Sequence, residues 1–153
     1  MKLQSFILFL FALVFVGFTT SCSKDEPVEI TIDSSQPQGS FVVSKKGSIV
    51  QQNDTGSKGT VNYGKDSQGI GFIQFGSDFS TVLATGTVTV YLSTSSTFKA
   101  DPAKGNPDLR LIGTVTKNGL HNFKLDPSLQ SKFSHVILWC GSANIPFGYA
   151  KIE

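Results

Sequence analysis

Past Pro27 the chain is a succession of short runs in which apolar and polar residues alternate, each run bounded by Gly, Pro, Asn, Asp or Ser. Side chains along an extended strand point to opposite faces in turn, so this pattern fits strands with one buried face. No segment beyond residue 27 keeps a helical period through three turns. Thr and Ser are abundant while Ala and Leu are sparse, which favours strands and turns over helices. The runs fall at 28–32, 40–44, 59–63, 70–75, 86–93, 109–115, 120–125, 135–140 and 145–152. Between them, Asn53-Asp54-Thr55-Gly56 and Gly64-Lys65-Asp66 read as loops, and Asn118-Gly119 is the strongest hairpin signal. Residues 94–106 form the longest loop, with Pro102, Gly105 and Pro107 near its end. The expected fold is all-β: one antiparallel β-sandwich or flattened barrel of roughly nine or ten strands.

The N-terminus has a different character. Lys2 precedes an apolar stretch from Phe6 to Phe18, then Thr19, Thr20 and Ser21, then Cys22. A basic start, an apolar segment, small residues and a cysteine form the layout of a bacterial lipoprotein signal. The expectation is that residues 1–21 are removed and that Cys22 becomes the acylated N-terminus, anchored stably by its chains. The alternatives are an ordinary secretory signal cut near Ser21, and an uncleaved anchor. The apolar stretch falls short of the roughly 20 residues that cross a bilayer, which speaks against the anchor. Ser23-Lys24-Asp25-Glu26-Pro27 reads as a tether and also resembles a Lys/Asp/Glu-rich lipoprotein export tag. Residues 22–38 are thus the lipidated cysteine and tether, with a first strand from 28, and 39–153 the β domain. This places the protein in the bacterial cell envelope, at the outer membrane on its periplasmic or surface face, with the membrane met through lipid.

Charge narrows the classes of partner. The chain has 13 Lys and Arg against 11 Asp and Glu, and no basic run longer than Lys45-Lys46. A nucleic-acid footprint needs clustered Lys and Arg, so nucleic acid is not an expected partner.

Few residues carry chemistry. Cys140 lies in Ser134-His135-Val136-Ile137-Leu138-Trp139-Cys140-Gly141. In a regular strand His135, Ile137 and Trp139 share one face, and Val136, Leu138 and Cys140 the other. A Cys/His pair from this strand alone is therefore disfavoured unless a bulge intervenes. Cys140 is either a redox thiol or cofactor ligand, or a small buried hydrophobe. Trp139 either packs over that thiol, faces a groove, or fills a strand face. The sequence contains no Cys-x-x-Cys and no Cys-x-x-Cys-His, so metal and covalent haem motifs are missing. Haem would need His121, His135, Cys140 or a Tyr as axial ligand. His121 reads as a surface residue. Asp78, Asp101, Asp108 and Asp126 each sit beside a turn, where Asp serves the backbone. No catalytic residue is assigned, and an enzyme is the less favoured class.

The C-terminal stretch resembles a known family. Ser134-His135-Val136-Ile137-Leu138-Trp139-Cys140 followed by Ile145-Pro146-Phe147-Gly148-Tyr149-Ala150 is similar to the end of the DM-13 domain, also called the electron transfer DM-13 domain. That family shows a Trp-Cys pair and then an apolar-x-Phe-Gly-x-Ala segment. Gly39-Ser40-Phe41, Gly59-Thr60-Val61, Ile73-Gln74-Phe75, Asp78-Phe79, Val88-Thr89-Val90-Tyr91-Leu92-Ser93, Gly113 and Gly119-Leu120-His121-Asn122-Phe123-Lys124-Leu125 resemble its earlier strands. Where the family often has Gly-Pro-Asp, this chain has Gly86-Thr87-Val88. The resemblance implies a redox or electron-transfer role for Cys140, as a bare thiol or by holding a prosthetic group such as haem. Trp139, His135 and Phe147 would be its supporting residues. Two expectations follow: a redox accessory working with an envelope redox partner, or a non-catalytic module whose loops recognise a protein or glycan.

Overall fold

The computed structural model describes residues 35–84, 86–101, 104–129 and 131–153. Cys22, the signal, the tether before residue 35 and the strand expected at 28–32 lie outside them. Among the described residues the fold is all-β, with nine strands and no helix. β1 (Val42–Ser48), β3 (Thr60–Lys65), β4 (Gly71–Phe75) and β7 (His121–Lys124) form a four-stranded sheet in the order β1-β3-β4-β7. β2 (Val50–Gln51), β5 (Val88–Ser93), β6 (Leu109–Val115), β8 (His135–Cys140) and β9 (Ile145–Lys151) form a five-stranded sheet in the order β2-β9-β8-β5-β6. Every pairing is antiparallel. The two sheets pack face to face as a sandwich.

The alternation that announced the strands also builds the core. Val61, Ile73, Phe75 and Phe123 face inward from the four-stranded sheet, and Val88, Val90, Leu92, Val136, Leu138 and Ala150 from the other. Phe75 is the hub. Its ring lies 4.4 Å from Phe79 and meets Phe123 edge-on at 5.2 Å. One glycine is obligatory for this packing. Gly59 has φ +122°, and a Cβ there would lie 2.5 Å from the Phe79 backbone.

Two expectations change, and one strand had none. Asn118-Gly119 does not close a hairpin, because β6 and β7 belong to different sheets. Its turn chemistry serves a docking contact: the Gly119 N–H donates to the Phe79 carbonyl (2.8 Å), and Asn118 Oδ1 accepts from the Thr81 N–H (3.0 Å). Gly64 and Lys65 extend β3, and the turn begins at Asp66. β2 had no distinct signal, since two residues are too few to show a period. It forms where the chain changes sheets after β1, and the reciprocal backbone bonds between Lys46 and Glu153 (3.0 and 3.1 Å) join the sheets at that corner.

Candidate functional site

Cys140 ends β8 on the core side of the five-stranded sheet and is 0% exposed. Its register partners are Val88 and Ile145. The β8–β9 register does shift, between Leu138 and Trp139, but the extra residue is Phe147 on β9. β8 itself keeps its alternation. His135 and Trp139 therefore point away from Cys140, as alternation expects, and of the three placements open to Trp139 packing over the thiol is ruled out. Cys140 Sγ lies 3.3 Å from Ser142 Oγ, in the exposed turn 141–144.

Phe147 is a core residue, 1% exposed. Its carbonyl accepts from Thr55 Oγ1 (2.7 Å) and from the Gln52 N–H (3.0 Å). Thr55, Ser57 and Thr81 continue as a chain of buried hydroxyls, spaced 2.9 and 2.7 Å. The bulge thus anchors the 52–57 loop, a structural role.

The outer face of the five-stranded sheet is unlike a solvated face. Val50, Tyr149, Ile137, Tyr91 and Leu111 are register partners in one row crossing all five strands. Ile137 at its centre is 0% exposed, while Val50 and Leu111 at its ends are 51% and 53% exposed. Part of the cover comes from the 94–108 loop. Phe98 folds back to stack on Trp139, with centroids 4.0 Å apart and planes 16° apart, and meets Tyr91 edge-on at 5.0 Å. The loop is self-tied: Asn106 Nδ2 donates to the Lys99 carbonyl (2.7 Å), and the Thr94 N–H donates to the Asp108 carbonyl (3.1 Å). Phe98 escaped the sequence reading, though a lone aromatic in a polar loop was a usable signal.

The remaining titratable groups do structural work. His135 lies on the outer face, its Nδ1 2.9 Å from Ser134 Oγ, and burial followed by the Lys151 charge holds its pKa below the ordinary value. His121 is no plain surface residue. Its ring stacks on Phe123 at 4.8 Å, and its Nδ1 is buried with no hydrogen-bond partner among the described residues. Burial, then Lys117, lowers its pKa. Asp78 accepts from the Thr60 N–H (3.1 Å) and hydroxyl (2.9 Å). Asp126 accepts from the Ser128 N–H and hydroxyl (2.8 and 2.7 Å). Among the described residues no three His, Cys, Asp or Glu side chains converge as a metal site requires.

A haem does not fit at Cys140, whose sulfur sits inside the packed core, and neither His121 nor His135 lines the cleft at the end of the sandwich. Tyr91 and Tyr149 lie on the outer sheet face, and Tyr63 lines an open cleft. No family model matches the sequence, and neither a curated protein nor a solved structure matches it.

Proposed function

We propose that this chain is a lipid-anchored envelope protein of DM-13 type whose β-sandwich acts as a binding module. It recognises a protein or glycan through the outer face of the five-stranded sheet and the 94–108 loop. The observation that carries this reading is the apolar row from Val50 to Leu111, exposed at both ends, with Phe98 packed edge-on against its member Tyr91. Exposed apolar surface next to polar residues marks an interaction site, and this row offers it at each end. Aromatic rings with polar neighbours suit both a protein interface and the apolar face of a sugar ring. Purified protein should be retained by envelope polysaccharide or a partner fraction. Leu111→Asp and Phe98→Ala should each remove that retention, and Cys140→Ala should leave it intact. Retention that survives both face variants and is lost with Cys140→Ala sinks the reading.

A redox role through Cys140 is the second reading. The observation in its favour is that the thiol touches Ser142 in an exposed turn, so a local opening there would reach it. Thiol titration of the native and then the denatured protein, with an absorbance spectrum, separates the two. Native reactivity or a cofactor band supports the redox role. A colourless protein that reacts only when denatured makes Cys140 a core residue.

A further inference from the structure

A cleft of about 530 Å³ opens at one end of the sandwich. It lies at the end opposite Cys140: Leu92 lines it and pairs with Val136 at the start of β8, whereas Cys140 ends that strand. Ile73, Leu92, Leu125, Leu129, Phe133 and Ile152 form apolar walls, and the cleft reaches Ile73, which is 0% exposed to solvent. Its volume falls in the range of about 300–1,000 Å³ that small-molecule sites occupy.

Lys45 and Lys65 also line it. Lys45 is the unusual one. On β1 the residues Val42, Ser44, Lys46 and Ser48 are exposed, and Lys45 takes the less exposed, inward set. Its register partner is Tyr63, which packs against the core. An inward charge on an edge strand discourages edge-to-edge pairing. That accounts for a lysine at this position and not for the cavity in front of it. Neither lysine joins an ion pair among the described residues, whose pairs are Arg110–Asp126, Lys132–Asp108 and Lys151–Glu153. The one lining carboxylate, Asp126, is already engaged by Arg110 at 3.9 Å and by Ser128. Two ammonium groups, the half-buried Lys45 and the exposed Lys65, have no ion-pair partner among the described residues, and beside apolar walls they suit a ligand with an anionic head and an apolar body.

We propose that this cleft binds a single-chain amphiphilic carboxylate, its tail against Ile73, Leu92, Phe133 and Ile152 and its head at Lys45 and Lys65. This site is separate from the outer face and stands or falls independently of the proposed function.

The test is calorimetric titration of the full protein with decanoate, below the concentration at which it forms micelles, and with decyltrimethylammonium as the cationic counterpart. Decanoate should bind and the cation should bind at least about tenfold more weakly, a difference of about 1.4 kcal/mol. Lys45→Leu combined with Lys65→Ala should weaken decanoate about tenfold or more while thermal melting shows the fold retained. Leu129→Trp, which fills the cleft from a partly buried wall, should abolish binding. Four results overturn the proposal: no binding of decanoate, equal binding of the cation, binding indifferent to the lysine replacements, or binding that persists in a folded Leu129→Trp protein. Cosedimentation with phosphatidylglycerol vesicles that Leu129→Trp leaves unchanged, without decanoate binding, would assign the lysines to a membrane surface instead.

Discussion

The outer faces of the two sheets solve the same problem in opposite ways. Across the four-stranded sheet the row is Lys46, Asn62, Gln74 and Asn122. Its amides are hydrogen-bonded sideways: Asn62 Nδ2 to Gln74 Oε1 (3.4 Å), Gln74 Nε2 to Asn122 Oδ1 (3.1 Å), and Asn122 Nδ2 to Gln36 Oε1 (2.7 Å). Across the five-stranded sheet the corresponding row is Val50, Tyr149, Ile137, Tyr91 and Leu111. A polar ladder needs no apolar cover, although Asn62 Oδ1 is buried with no hydrogen-bond partner among the described residues. An apolar row must be covered, and here Phe98 of a loop covers it at Tyr91 and leaves its ends exposed. The difference teaches that a solvent-side face can carry a second small core, and that the uncovered ends of such a core are where a partner gains most.

Truncation should separate the faces most strongly. Ile137→Ala removes a fully buried side chain from the five-stranded sheet, and large-to-small core changes of this kind cost about 2–5 kcal/mol. Gln74→Ala in the matching place on the other sheet loses amide hydrogen bonds worth about 0.5–1.5 kcal/mol each. Chemical denaturation of the two variants reads the contrast directly. Equal losses would mean that the outer row is no core.

The next effect belongs to the cover itself. Trp139 is the only tryptophan, and Phe98 is the one ring stacked on it among the described residues, so its emission reports on that stack. Phe98→Ala should shift that emission to the red as water reaches the indole, and should cost about 0.5–1.5 kcal/mol beyond the buried area lost. Unchanged emission would detach the loop from the face.

This cover marks the limit of what was legible in the sequence. Strand β8 was readable to the residue, because alternation fixes which of His135, Trp139 and Cys140 share a face. The all-β class and most strands were readable for the same reason. The pairing of strands was not. Asn118-Gly119 carries real turn chemistry, yet turn chemistry does not say whether the flanking strands meet each other or join different sheets. The outer apolar row was hidden because its members come from five separated segments, and only register brings Val50 beside Tyr149 and Tyr91 beside Leu111. Lys45 was hidden in the same way, since its inward direction depends on which phase of β1 faces the core.

Acid should act on the two sheets in two stages. Burial lowers the pKa of His121, which stacks beside the core of the four-stranded sheet, and of His135, on the outer face of the five-stranded one. A folded pKa below the ordinary 6.5 means that the unfolded chain binds the proton more readily. Stability from neutral histidine is therefore complete above pH 6.5, falls as the pH drops below it, and levels off beneath the folded value. His121→Phe should flatten its share of that decline in a series of melts. The carboxylates come later. The Thr60 N–H and then the Thr60 hydroxyl hold Asp78 below 3.8, so its contribution is present above 3.8 and is lost only as the pH falls through the lower folded value. Asp78→Asn should remove its share of this second stage, to which Asp66, Asp126 and Glu153 also contribute, and leave the histidine stage in place.

The smallest effect concerns what holds the 94–108 loop over the apolar row. Lys132 Nζ meets Asp108 Oδ1 at 2.9 Å, with side chains 35% and 57% exposed. Exposed pairs of this kind contribute about 0–1 kcal/mol and weaken with salt. The loop is also held by the Thr94–Asp108 backbone bond and by the Phe98 stack, neither of which needs the carboxylate charge. Asp108→Asn should therefore lower stability by no more than about 0.5 kcal/mol and leave Trp139 emission as it is. A red shift as large as that of Phe98→Ala would make the ion pair the latch of the loop. The apolar row would then be covered by charge, and its exposure would rise with salt instead of being fixed by ring packing.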